Sequence, residues 1–136
     1  MPLYGRAFEN TNGIGQPYTG IGPGTIEAGI YSYKALPSEY TSANSVCELN
    51  ILLVAGAQIF ENSTDVTSYS YDSAKKELVS YDTPNIIKTK TQYLNSKGLA
   101  GAMFWELSTD KVGSESLVQT AANGLGGLDT TENHIK

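Results

Sequence analysis

The chain has 136 residues, 40% of them hydrophobic and 17% charged, and a formal net charge of -5 from 9 Lys+Arg against 14 Asp+Glu. That length suits one ordinary domain, and the balance is that of a soluble globular chain rather than a disordered one. No apolar run reaches the ~20 residues of a membrane helix, no Lys/Arg cluster offers a nucleic-acid footprint, and a lone Cys47 and a lone His134 leave a disulfide framework, a zinc site and a Ser-His-Asp triad without support.

In chain order, MPLYGRAF (1–8) reads as a short buried strand ending in polar groups, with no charged segment leading into an apolar run as a secretory leader would show. Residues 9–29 are rich in Gly, with Pro17 and Pro23, and predict an ordered loop. Residues 29–37 look extended. Residues 38–54 pass from polar to strongly apolar within one stretch, ending in ELNILLV, predicted as a short strand or helix. VTSYSY (66–71) and ELVSY (77–81) predict a hairpin around the polar turn DSAKK, with Tyr69 and Tyr71 on one face and Ser68 and Ser70 on the other. Asp82-Thr83-Pro84 is a helix start, because Thr83 or Asp82 can cap and Pro84 suits the first helical position. Ile86, Ile87, Tyr93 and Leu94 then fall on one helical face, and Gly98 stops the helix. GLAGAMFW (98–105) is apolar without alternation, as in a parallel strand buried on both faces, with Met103 as core packing. ELSTDKVGS is a polar loop, ESLVQTAANGLG a short helix, and the tail from Gly126 has little core-forming content.

The second half therefore belongs to an α/β layered fold. Only residues 1–8 can serve as a parallel neighbour to 98–105, and two strands do not make a covered parallel sheet. The chain reads as incomplete, with Met1 an internal methionine. On this reading GLAGAMFW and the isoleucine face of its helix lack their covering layers, which predicts poor solubility for the isolated chain.

Two motifs point to a family. MPLYGRAF followed by a Gly-rich stretch, and GLAGAMFWELSTDK, resemble the family 18 glycoside hydrolases, the chitinases, and fungal members most closely. In that family an MPxYGRxF segment is the seventh strand of a (β/α)8 barrel and a Gly-x-MxWE-x-S-x-D segment the eighth, with a small α+β domain inserted between them. GIGQPYTGIGPGTIEAGIYSYKALP and SYSYDSAKKELVSYDTPNII resemble that insertion. The resemblance implies an α/β chain holding part of a TIM barrel: residues 1–8 as strand seven, 9–81 as insertion domain with 38–54 as an unusual segment, 82–125 as barrel helix, strand eight and following helix, and 126–136 as tail.

The same resemblance implies the site. Barrel enzymes place their sites at the C-terminal ends of strands. Trp105 corresponds to the tryptophan that floors the −1 sugar subsite, where an indole packs on a pyranose face. Tyr4 and Arg6 correspond to cleft residues that hydrogen-bond sugar hydroxyl or acetamido groups. Glu27, in GTIEAG, corresponds to an acidic cleft residue from the insertion. Read from the residues alone, Trp105 is as open to core burial as to a site, Arg6 suits a structural ion pair, Glu27 is a loop carboxylate, and Glu106 is undecided. Asn62-Ser63-Thr64 is a glycosylation sequon, a triplet common by chance.

The implied activity is retaining hydrolysis of β-1,4-linked N-acetylglucosamine, in which the substrate's own acetamido group replaces an enzyme nucleophile. It needs no metal or organic cofactor. Its proton donor lies in a DxxDxDxE motif that this sequence does not contain, and the Met-x-Tyr-Asp motif of the sixth strand is missing too; Tyr71-Asp72 and Tyr81-Asp82 lack the methionine. No catalytic residue is therefore assigned, and the chain as written is expected to be inactive toward chitin or chito-oligosaccharide. A non-catalytic chitin-binding module is the alternative, and a subunit completing a split barrel a third. Residues 38–54 interrupt the resemblance. Codons open to Ser38-Glu39-Tyr40 and Val54-Ala55 can hold splice donor and acceptor sequences, so a retained intron and a surface loop extension both stand as sources. Compartment, oligomeric state and endo or exo action stay open.

Overall fold

A computed structural model describes residues 1–37, 56–126 and 131. The expectations for ELNILLV, Cys47 and His134 lie outside the described residues, as does nearly all of the tail.

Among the described residues six strands form one antiparallel sheet: β1 (Tyr4–Glu9), β2 (Gly20–Ile21), β3 (Ile30–Ser32), β4 (Gln58–Asn62), β5 (Thr67–Asp72) and β6 (Glu77–Ser80). The order across the sheet is β2-β1-β6-β5-β4, and β3 also pairs with β1. Two helices follow, α1 (Pro84–Ser96) and α2 (Leu117–Leu125), with single 3₁₀ turns at Tyr33–Ala35, Leu107–Thr109 and Gly113–Glu115.

β1 holds the sheet together. Arg6, Ala7 and Phe8 face Ser80, Val79 and Leu78 of β6, and Tyr4, Gly5 and Arg6 face Ser32, Tyr31 and Ile30 of β3. Gly5 is needed at the centre, because a Cβ there would lie 2.7 Å from Leu36 Cδ1 and 2.8 Å from Val79 Cγ1. The hairpin of β5 and β6 forms as the alternation predicts, with Tyr71 opposite Leu78 and Asp72 opposite Glu77. Asp72 Oδ1 closes its turn by accepting from the N–H groups of Ala74 (2.9 Å) and Lys75 (3.0 Å). The two faces separate as expected, but the serine face is the buried one. Ser68 is tolerated there because its hydroxyl donates to Tyr81 O at 2.6 Å and accepts from Thr83 N–H at 3.1 Å.

Helix α1 begins at the expected cap, with Thr83 Oγ1 accepting from Ile86 N–H and Pro84 in the first turn, and Gly98 (φ +62°) follows its end. Its apolar face divides. Ile86 and Ile87 are buried while Tyr93 is 59% exposed. The expectation of an uncovered isoleucine face is thus corrected: Ile87 packs in one core with Leu3, Tyr33, Val79 and Tyr81 and with Leu117 and Ala121 of α2. α1 and α2 meet closely at Thr91 and Gly124, and Asn95 Nδ2 donates to Gly124 O at 2.8 Å.

GLAGAMFW departs from its reading. It carries no strand beyond a parallel bridge between Pro2 and Trp105, made by Leu3 N–H to Trp105 O (2.8 Å) and Trp105 N–H to Met1 O (3.2 Å). Leu99 is 52% exposed and Met103 71% exposed, so Met103 is not core packing. Among the described residues, a strand needing neighbours on both edges and both faces has one neighbour on one edge.

Candidate functional site

The loop before β3 is wound tightly enough to project its tip. Thr25 and Ile26 N–H both donate to Ile30 O, at 3.0 and 3.1 Å, and Ile30 N–H returns to Glu27 O at 2.9 Å. Thr25 Oγ1 accepts from Ser32 N–H at 2.8 Å, tying the loop to β3. At Gly24 an added Cβ would fall 2.0 Å from Glu27 O and 2.4 Å from Ile30 O, so no larger residue fits this winding. The loop thereby presents Ile26 and Glu27 to the end of β1.

On the other side, Thr109 fixes the segment after Trp105. Its hydroxyl lies 2.7 Å from both the Leu3 and the Glu106 carbonyl oxygens, which share its single proton. Asp110 then anchors α2: Oδ1 accepts from Leu117 N–H at 3.0 Å, and Oδ2 from Ser116 Oγ at 2.7 Å and Val118 N–H at 3.2 Å. Lys111 Nζ lies 4.8 Å from the centre of the Tyr33 ring, and burial pushes this amine below its ordinary value. The Tyr33 hydroxyl donates to Glu115 O at 2.8 Å, and burial raises it well above the usual phenol range. Burial likewise pushes Tyr81 up to about 12. Thr109, Asp110, Lys111 and Tyr33 thus tie the segment that follows Trp105 to Leu3, to α2 and to the core.

Between the two sides lies an open cleft of about 570 Å³, and it brings together all four residues singled out from sequence: Tyr4, Arg6, Glu27 and Trp105. Trp105 is 69% exposed, which excludes core burial for it in this structure. The Trp105–Glu106 peptide is cis. Arg6 forms no ion pair among the described residues; its guanidinium sits 5.8 Å from the centre of the Tyr4 ring. Glu27 is exposed at the loop tip. Glu106, undecided from sequence, also lines the cleft, its carboxylate accepting from the Ser108 hydroxyl. Sequence reasoning missed Ile26, Ile30, Ser108 and Thr109 in the lining. Ser108 and Thr109 stood inside the second motif, whereas nothing local marked the two isoleucines.

Tyr4 and Arg6 also border a second groove, lined in addition by Thr67, Ser80, Asp82 and Lys90. There Lys90 Nζ and Asp82 Oδ2 form an ion pair at 2.6 Å. Among the described residues no group of three or more His, Cys, Asp or Glu is placed to hold a metal ion. The cleft offers instead an exposed indole, a phenol and a guanidinium between two carboxylates, chemistry suited to stacking on and hydrogen-bonding a neutral polar ligand.

The family model for glycosyl hydrolases family 18 matches residues 1–110, and the chain belongs to that family. Among relatives, it is 48% identical over 133 residues to endochitinase 1 of Metarhizium robertsii, covering 98% of this chain and 28% of that protein. It is 47% identical over 135 residues to chitinase 1 of Aphanocladium album, covering 99% of this chain and 28% of that one. The chain thus spans under a third of the length of these fungal relatives. Among solved structures, the chitinase ChiA74 of Bacillus thuringiensis superposes with a TM-score of 0.69 at 28% identity, over 92% of this chain and 22% of that one. A family 18 chitinase of Cycas revoluta, solved with allosamidin, gives a TM-score of 0.70 at 27% identity, over 93% and 32%. Such chitinases are TIM-barrel proteins; the described part of this chain is a small sheet with two helices.

Proposed function

We propose that this chain supplies one wall of a chitinase cleft, holding β-1,4-linked N-acetylglucosamine units without itself protonating the glycosidic oxygen. The observation that carries the reading is the meeting of Tyr4, Arg6, Glu27 and Trp105, far apart in sequence, in a single cleft. Trp105 stacks on a sugar ring, Arg6 and Tyr4 donate to hydroxyl or acetamido oxygens, and Glu27 accepts from hydroxyl groups at the rim. Support for the substrate class comes from the relatives: the Cycas revoluta chitinase is solved with (GlcNAc)3.

In this reading residues 1–8 and the segment ending at Trp105 are neighbouring barrel strands seven and eight, and the parallel bridge between Pro2 and Trp105 supports it. The antiparallel strands β2 to β6, which extend from β1, belong to the insertion between them, and α1 and α2 to the barrel's outer layer. The acetamido-assisted reaction still requires a carboxylic acid at the leaving oxygen, and the DxxDxDxE source of that acid is not in the sequence. The purified chain is therefore expected to release no product from a fluorogenic chito-oligosaccharide, and measurable turnover would overturn this assignment.

One observation favours a second reading, a non-catalytic chitin-binding module. The sheet and both helices share one buried core, which includes Leu3, Val79, Ile87 and Leu117. A cooperative unfolding transition together with retention on chitin would support it.

A further inference from the structure

The sequon at residues 62–64 takes no part in the cleft, and the fold gives it a definite setting. It spans the last residue of β4 and the turn into β5, and every residue from Gln58 to Asp65 is exposed. No other asparagine in the sequence stands two places before a serine or threonine. We propose that Asn62 is an attachment site for an N-linked glycan when the chain traverses a secretory route.

The turn is built to survive the modification. Asn62 Oδ1 accepts from the backbone N–H groups of Thr64 (2.9 Å) and Asp65 (3.1 Å), and Nδ2 donates to Asp65 Oδ2 at 2.8 Å. The donor substrate is an oligosaccharide carried on a lipid diphosphate. Nδ2 attacks the anomeric carbon, the bond from that carbon to the diphosphate oxygen breaks, and the diphosphate leaves with the electron pair. Nδ2 gives up one proton, which is taken up by the released lipid diphosphate, and keeps the other. The product amide therefore retains both acceptor bonds at Oδ1 and one N–H for Asp65. The Thr64 hydroxyl, the second element such a sequon requires, makes no hydrogen bond among the described residues. A glycan here would stand beside β4, where Ile59 is 50% and Phe60 39% exposed and which among the described residues pairs on one side only, with β5, and would shield that strand from pairing with another chain.

The test expresses the chain behind a cleavable secretion leader in yeast and measures intact mass before and after peptide-N-glycosidase treatment, in the medium and in the membrane fraction. The wild-type chain is expected to lose the mass of one glycan and to carry Asp at position 62 afterwards. Thr64→Ser should keep the glycan. Thr64→Ala should carry none, and because Thr64 holds the turn through its backbone N–H, this variant leaves the bonds of Asn62 intact where Asn62→Gln does not. A wild-type chain with the bare polypeptide mass in both fractions overturns the proposal, as does a glycan that persists in Thr64→Ala.

Discussion

Asp110 lies behind the cleft and touches none of it, yet its removal should be felt throughout the chain. Its carboxylate accepts from the Leu117 and Val118 N–H groups in the first turn of α2, from the Ser116 hydroxyl, and from its neighbour Lys111 N–H. Asp110→Ala leaves those amides without a partner and removes a negative charge from the positive end of the helix. Hydrogen bonds to a charged group are each worth about 1.5–3 kcal/mol net. Water can replace part of that at a half-buried site, and we expect a loss of about 2–3 kcal/mol. For a chain of this size that is a fall in Tm of roughly 6–12 °C. Asp110→Asn keeps an acceptor and the shape, and should lose about 1 kcal/mol, mostly through the charge. Ser116 caps the same turn by accepting from Gln119 N–H at 2.9 Å, so Asp110→Ala and Ser116→Ala together should cost less than their sum. Urea unfolding followed by circular dichroism measures all of these. If Asp110→Ala unfolds within about 0.5 kcal/mol of wild type, a surface-substitution value, the carboxylate does not anchor α2.

Three further outcomes are expected. Trp105→Ala should leave the unfolding midpoint nearly unchanged, since the ring is 69% exposed, and weaken chito-oligosaccharide binding by about thirty-fold in calorimetry, the ~2 kcal/mol of an anchoring aromatic; equal affinity would remove Trp105 from the site. Gly24→Ala should destabilise by several kcal/mol or displace the loop tip, because its Cβ would meet Glu27 O at 2.0 Å, and a soluble variant with wild-type amide shifts for Glu27 would contradict the close approach. The Glu77 carboxyl is held above its ordinary value chiefly by burial, against the opposing pull of Tyr31 and Lys75. Its contribution is then most favourable below the unfolded-state value and is lost as pH rises through the raised one, so Glu77→Gln should stabilise the chain at pH 7 and lose that advantage near pH 4; a gain that does not vary with pH would refute this.

Much of this chain is local in origin and legible from its sequence. The start of α1 follows from Thr83 and Pro84, its end from Gly98, and the hairpin from alternation around a polar turn, because neighbours in sequence satisfy those backbone groups. The motifs around Tyr4, Arg6 and Trp105 were equally visible, and those residues do converge on one cleft with Glu27.

What the sequence could not supply was which surfaces would find partners. Alternation in β5 separated tyrosines from serines without saying which side is buried. The answer came from Tyr81 O and Thr83 N–H, which satisfy Ser68 from residues beyond the hairpin. The apolarity of GLAGAMFW implied a buried strand, yet burial is a property of neighbours, and the described residues give it a single bridge to Pro2. Ile26 and Ile30 reach the cleft through a glycine-wound loop that hydropathy cannot trace. The sequence by itself determined the family motifs, the caps and the turns, since each depends on a few adjacent groups. Only the tertiary structure decided that Trp105 faces the cleft rather than the core and that the serine face of the hairpin is interior, because each depends on which segment outside its own element comes to lie alongside.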